Sequence, residues 1–321
     1  MRSACSLLLA GFATCCVAHA ADLAYPTRPI RLIVPQTPGG TADTMARILA
    51  PGLAATLGQQ WVIDNRGGAG GIIGTELVAR AAPDGYTLSF NGTGPLTIVP
   101  NIQSGVPYDT LKDFTPITIT TISPFALVLH PSVRARTVKE LIALARTEPG
   151  KLNYASAGAG SVVHIGMELL KSMTGVNILH VPYKGTAQGL TDVMAGHVAM
   201  MLFTVAPAMQ HAAAERLRVL GVTSAKRFAQ RPDVPTIAES GLPGYEVTTW
   251  TGLLAPARTP RDVTAKLHGA MVKALQAPQS RTQLDTQGVD IVGGDSAQFA
   301  ALLRDELARH ARVLKVAGGK A

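Results

Sequence analysis

The sequence predicts an α/β fold, and three observations carry the prediction. Short β-like runs alternate with amphipathic helical runs along most of the chain. Gly, Ser and Thr gather where such a run hands over to a helix. Beyond the first 20 residues, no apolar run is long and uninterrupted enough to suggest a membrane span.

Residues 1–20 are set aside before the fold is read. Arg2 is followed by the apolar run SLLLAGFATCCVA, which closes on Ala18-His19-Ala20, the layout of a cleaved secretory signal peptide. Cys15 and Cys16 raise a lipoprotein reading, but Phe12-Ala13-Thr14 is a poor lead-in for lipidation. All three cysteines, Cys5, Cys15 and Cys16, fall in this segment. The mature chain is therefore expected to have no thiol, which excludes disulfides, cysteine nucleophiles and thiolate metal sites. A thiol-free secreted chain fits an oxidising compartment, and the expected location is the periplasm.

Loss of Arg2 lowers the formal charge from +8 to +7. The basic residues are scattered, with no aromatic-interleaved stripe, so nucleic acid is not an expected partner. The mature length is enough for two domains with real cores.

The strand candidates, in order, are IRLIVP (30–35), WVIDN (61–65), YTLSFN (86–91), FALVLH (125–130), LNYAS (152–156), ILHVPY (178–183), VAMMLF (198–203) and RVLGVT (218–223). Between them, Met45, Ile48, Leu49 and Leu53 form one apolar helix face, which Pro51 is expected to kink or interrupt. Thr137 to Glu140 reads as a capping box, and Pro149-Gly150 ends the helix it opens. Val162, Ile165, Leu169, Leu170 and Met173 form a second face, read as core. Thr259-Pro260 starts a helix with Pro at its first position, and Ser296 to Lys315 reads as a long terminal helix with Phe299, Leu302, Leu303 and Leu307 on one side.

The run TPITITTISPFALVLHP (115–131) is too long for one ordinary strand and is interrupted at Ser123-Pro124. A strand leaving one sheet for another has this form. A second crossing is expected within 244–254, giving one domain of 21–122 plus 248–321 and another of 123–247.

Four loops share one design: strand, small residues, helix. They follow residues 34, 156, 183 and 91. Unpaired N–H groups and the positive dipole end of a helix favour an anion there, glycine lets it approach, and hydroxyls add donors. In open α/β sheets the ligand crevice lies outside the carboxyl ends of the strands. One exposed helix end contributes only ~0.3–1 kcal/mol, so several must converge.

Enzyme motifs fail in detail. Tyr154-Ala-Ser156-Ala-Gly158 lacks the first Gly of a nucleophile elbow. Gly68-Ala-Gly70 is followed by Ile73 and Gly158-Ala-Gly160 by Val163, where a dinucleotide fingerprint needs Gly. His164 and Glu168 sit one helical turn apart without an obvious third metal ligand. Ser161 is placed to cap the following helix. A secreted serine hydrolase using Ser156 or Ser161 with His164 remains the competing reading.

The segments YPTRPIRLIVPQTPGGTADTMAR, DNRGGAGGIIGTELVARAAPDGYTL, KLNYASAGAGSVVH, HVPYKGTAQGLTDVMAGHV and VTSAKRFAQRPDVPTIAESGLPGYE resemble the Bug family, TctC-like periplasmic solute-binding proteins of tripartite tricarboxylate transporters. The resemblance covers essentially the whole mature chain. It implies a two-lobed, type II-like Venus-flytrap fold with a ligand cleft between the lobes and no catalysis or cofactor. It implies a small carboxylate ligand (an organic, amino or aromatic acid) held by amides, hydroxyls and waters, and membrane permease subunits as partners. A sensor reading bound ligand is an alternative partner, and a monomer is expected. The implied contacts are Thr37, Pro38, Gly39, Gly40 and Asp43 from one lobe. The other lobe supplies Ser156, Ala157, Gly158, Gly160, Ser161 and His164, with Gly185, Thr186 and Ala187. The chain departs from the family at Leu202-Phe203-Thr204, where Phe-Asp or Phe-Ala-Ser is common; Phe203 either narrows the cleft or belongs to the core.

Overall fold

The computed structural model describes residues 25–228 and 230–316. The expected signal peptide and all three cysteines lie outside the described residues. In chain order the elements are β1 (Ile30–Val34), α1 (Thr41–Leu57), β2 (Trp61–Asn65), α2 (Ile72–Ala79), β3 (Thr87–Gly92), α3 (Val99–Ile102) and β4 (Phe114–Leu129). Then come α4 (Val138–Thr147), β5 (Asn153–Ser156), α5 (Val162–Thr174), β6 (Leu179–Pro182), α6 (Thr186–Met194), β7 (Met200–Thr204), α7 (Val205–Ala213) and β8 (Arg218–Val222). The chain closes with β9 (Thr248–Pro256), α8 (Arg261–Gln276), α9 (Pro278–Gln287), β10 (Asp290–Gly294) and α10 (Ser296–Val316). Among the described residues, no helix is long and apolar enough to cross a membrane.

The strands form two sheets joined through β4. In the first, β1 lies between β2 and β3 in parallel, and β9 returns antiparallel between β3 and β4. Alternation along β1 divides its side chains: Ile30, Leu32 and Val34 pack under α1 and α8, while Ile33 faces the opposite core with Trp250 and Phe299. In the second sheet, β7 and β8 flank β4, and β5 and β6 extend it beyond β7. Here Phe125, Leu127 and Leu129 face α4 and α5, whereas Ala126 and Val128 face α6 and α7.

The change of sheet falls at a defined step. Residues up to Pro124 pair with β9; from Phe125 onward the partners are β7 and β8. Thr223, fully buried, fastens this place. Its hydroxyl accepts the Phe125 N–H at 2.8 Å and donates to the Val247 carbonyl. The long run at 115–131 is thus one strand that serves two sheets.

Local expectations are met with four differences. Helix α1 runs through Pro51 without interruption, because Pro51 is exposed and water can reach the carbonyl it cannot pair. Thr137 caps α4 by accepting the Glu140 N–H, but Glu140 returns its bond to the Arg136 N–H at 2.7 Å and not to Thr137. Pro260 is the residue before α8, not its first. Met173 is 39% exposed, so the α5 core face is carried by Val163, Ile165, Met167 and Leu170 instead.

Candidate functional site

The loop after β1 builds its own scaffold. Gly40 precedes α1 and has no side chain to cap it; the Gln36 carboxamide does so, accepting the Ala42 N–H at 3.1 Å. Asp43 is 3% exposed and turns back into its own loop. It accepts the Gly39 N–H at 2.9 Å and pairs with Arg47 at 2.9 Å. Burial alone raises this carboxyl, but the bonds from Arg47, Gly39 and Asn65 outweigh it and hold the group below the usual carboxylate range. Thr37, Pro38 and Gly39 stay exposed.

The loop after β5 rests on a stack of three rings. Tyr154 lies 4.8 Å from His180, and His180 lies 4.4 Å from His164. Ser156 is fully buried, accepts the Gly158 N–H at 3.0 Å and bonds His180 Nε2 at 2.6 Å. His164 Nδ1 accepts the Gly160 N–H at 3.3 Å, which requires that nitrogen unprotonated. Burial lowers both histidines, His180 to about 4, and the mutual proximity of the two rings adds to the effect at His180. Ser161 caps α5 by accepting the His164 N–H.

The third predicted loop meets the first across the cleft. Gly185 precedes α6 so close to Thr37 that an added Cβ would lie 2.7 Å from the Thr37 hydroxyl. Gly160, at φ +78°, packs on Ile102, where a Cβ would lie 2.4 Å from Cδ1. Around that contact Ile98 and Ile102 meet Val162 and Ile165 in a small apolar cluster. On another face, Gln230 donates to the Asp285 carbonyl at 3.2 Å.

Between these contacts lies a cavity of about 170 Å³. Of the expected contacts, Gly39, Ala157, Ser161, Thr186 and Phe203 line it. Thr37, Pro38, Gly40, Asp43, Ser156, Gly158, Gly160, His164, Gly185 and Ala187 do not; they shape the surrounding loops. Phe203 therefore stands at the cavity as well as against the core beneath α7. Gln36, Thr204, Ser123 and Gln287 line it too and were not anticipated. Thr204 precedes a fourth converging helix, α7, without capping it through its side chain, and the change of sheet after Pro124 brings Ser123 to the cavity. Among the described residues, no Lys, Arg, His, Asp or Glu lines this cavity.

The arrangement presents dipoles and hydroxyls to the cavity, and the serine–histidine pair of a hydrolase, Ser156 or Ser161 with His164, is not formed at these loops. Neither Ser156 nor Ser161 bonds the His164 ring: one is turned to His180, the other to a backbone amide. Glu168 is occupied by Tyr154 at 2.6 Å and Lys171 at 2.7 Å. Among the described residues, no group of three or more His, Cys, Asp or Glu is placed to hold a metal ion.

Residues 45–318 match the model of the tripartite tricarboxylate transporter family receptor. The chain is 42% identical over 292 residues to the UPF0065 protein in the tcbD-tcbE intergenic region of Pseudomonas sp. (strain P51), covering 91% of this chain and 87% of that protein. It is 35% identical over 297 residues to Protein BugT of Bordetella pertussis, covering 92% and 91%. Rpa4515 of R. palustris with adipate has a similar solved structure, with TM-score 0.88, 36% identity and coverage of 92% and 98%. MatC from Rhodopseudomonas palustris with bound malate gives TM-score 0.86, 33% identity and coverage of 90% and 100%.

Proposed function

Because the chain belongs to the tripartite tricarboxylate transporter receptor family, we propose that it is a periplasmic receptor that closes on a small carboxylate and catalyses nothing. One observation carries the ligand class: a cavity lined by hydroxyls, amides and the starts of several helices beside apolar side chains such as Met45, Phe125, Phe203 and Trp250, without an ionisable side chain among the described residues. Such a wall favours an anion through N–H groups and dipoles and gives an ammonium group no counter-charge. Solved relatives holding adipate and malate support the same reading.

In this proposal the lobes are 21–122 plus 248–321 and 123–247, and residues 1–20 are removed on export. The ligand carboxylate sits among Gly39, Ala157, Ser161 and Thr186. Thr37, Pro38, Gly40, Gly158, Gly160, Gly185 and Ala187 set the loop paths. Asp43, Ser156 and His164 hold the loops from behind. The receptor acts as a monomer and delivers its acid to membrane permease subunits. Presentation to a membrane sensor would use the same binding physics.

Ligand that binds only the folded protein stabilises it by ~2.7 kcal/mol at a hundredfold its Kd. A thermal-shift screen of mono-, di- and tricarboxylates, aromatic acids, sugars and cations tests the reading. A rise in Tm with at least one acid is expected. A rise confined to sugars or cations overturns it.

A further inference from the structure

A buried hydroxyl without a partner is uncommon, because leaving it dry costs about 1–3 kcal/mol. Ser123 carries one. The residue is 2% exposed, and its Oγ is buried with no hydrogen-bond partner among the described residues. It lines the cavity from β4, opposite Thr249 on β9, at the step before the strand changes sheets. The residue thus borders a cavity from which a partner can reach its hydroxyl.

Its neighbours narrow the chemistry. Thr249 and Thr251 also line the cavity, but their hydroxyls are engaged with Thr93 and with Thr120 and Thr121. Phe125, two residues beyond Ser123, pairs with Thr204, which precedes α7 and whose side chain caps nothing. The first turn of α7 supplies a positive dipole end and the N–H groups of Val205 and Ala206, Pro207 having none. The proposed carboxylate loops belong to other elements, so Ser123 and Thr204 address a different part of the ligand.

We propose that Ser123, together with Thr204 at the start of α7, forms a second contact point that receives an oxygen acceptor on the body of the acid. The inference rests on the carboxylate reading above. The acceptor is a hydroxyl, an oxo group or a second carboxylate oxygen. An ammonium group is disfavoured there: it meets the positive end of α7, and no carboxylate lines the cavity among the described residues.

Calorimetric titration with four-carbon acids of equal length tests this on the wild type and on Ser123→Ala. The probes are butanoate, 4-hydroxybutanoate, succinate and 4-aminobutanoate. The wild type is expected to bind 4-hydroxybutanoate or succinate at least about 5-fold tighter than butanoate, and 4-aminobutanoate no tighter than butanoate. Ser123→Ala is expected to erase that advantage, leave butanoate unchanged, and keep or raise the Tm of the unliganded protein, since it removes a dry hydroxyl. Which of the two favoured probes gains more tells a neutral oxygen from a second carboxylate. Equal loss of affinity for every acid in Ser123→Ala, or no loss for any, overturns the assignment. Wild-type binding of butanoate as tight as the others overturns it while the carboxylate reading stands. Wild-type binding of none of these acids, with none in the thermal screen, removes both.

Discussion

The imidazole rings of His164 and His180 stack 4.4 Å apart, and each supports the loop of residues 156–161: His164 through the Gly160 N–H, His180 through the Ser156 hydroxyl. Burial favours the neutral form of both. A histidine with a folded pKa below its unfolded value takes up a proton on unfolding as pH falls. Stability from this pair is therefore fully present above about pH 6.5. It declines as pH falls toward the His180 value of about 4. Each histidine steepens the fall by at most ~1.4 kcal/mol per pH unit. Glu168, Lys171 and Tyr154 face the same stack, and Glu168, also held below its usual range, adds to the loss below pH 4.5. Buried His310, lowered to about 4, contributes the same slope from the first sheet's side. Melting from pH 7.5 to 4.5 should show Tm falling with acid, and His180→Gln should show a shallower fall. An unchanged slope in the variant would remove this pair from the account.

Ile102 forms part of the apolar contact against which Gly160 packs. In the proposed two-lobe division this contact crosses the cleft, and Ile102→Ala removes roughly 1 kcal/mol of burial from it. Affinity for any bound acid is expected to drop about 5-fold. Small-angle scattering of the unliganded protein is expected to give a larger radius of gyration than wild type. Identical scattering and affinity in both proteins would mean the contact does not bias closure.

Phe203→Asp places a carboxylate at a cavity wall with no cation among the described residues. A dicarboxylate is then expected to lose at least about tenfold in affinity, whereas 4-aminobutanoate gains a counter-charge and binds better than to wild type. Calorimetry with both probes checks the two directions at once. Parallel changes in both would show that only volume mattered.

Asp43 joins Gly39 to Arg47 beneath the first loop. Asp43→Ala removes the acceptor shared by an exposed loop amide and a half-exposed guanidinium that water and Asn65 still serve, at a cost of about 1 kcal/mol. The expected outcome is a lower Tm in chemical and thermal melts together with weaker binding. Asp43→Asn should recover part of the stability, because it still accepts the Gly39 N–H. Equal stability of all three proteins would show the carboxylate to be dispensable.

Much of the fold was legible because its signals are local. The runs IRLIV and FALVL were legible as strands, and the break at Ser123-Pro124 marked where β4 changes partners. The glycine and hydroxyl loops were found by their composition. What composition could not reveal was the direction each side chain takes. Ser156 reads as a ligand donor until His180, 24 residues away, is found to hold it. Asp43 reads as a cleft residue until its bonds to Gly39 and Arg47 turn it inward. Gln36 lacks the residue type of an ordinary helix cap, so its bond to the Ala42 N–H has no sequence signature. Ser123 gave a break signal but no site signal, because its place at the cavity depends on β9, more than a hundred residues later. Pro51 does not interrupt α1 for a related reason: only the tertiary structure shows that its side of the helix faces solvent.

The uncharged wall of the cavity bears on the medium the protein works in. Attraction between full charges weakens as dissolved salt thickens the counter-ion atmosphere, whose reach shrinks from ~30 Å at 0.01 M to ~8 Å at 0.15 M. Short amide and hydroxyl bonds inside a closed cleft lie beneath that atmosphere. Capture of the acid is then expected to be nearly indifferent to ionic strength, which suits the periplasmic receptor proposed above.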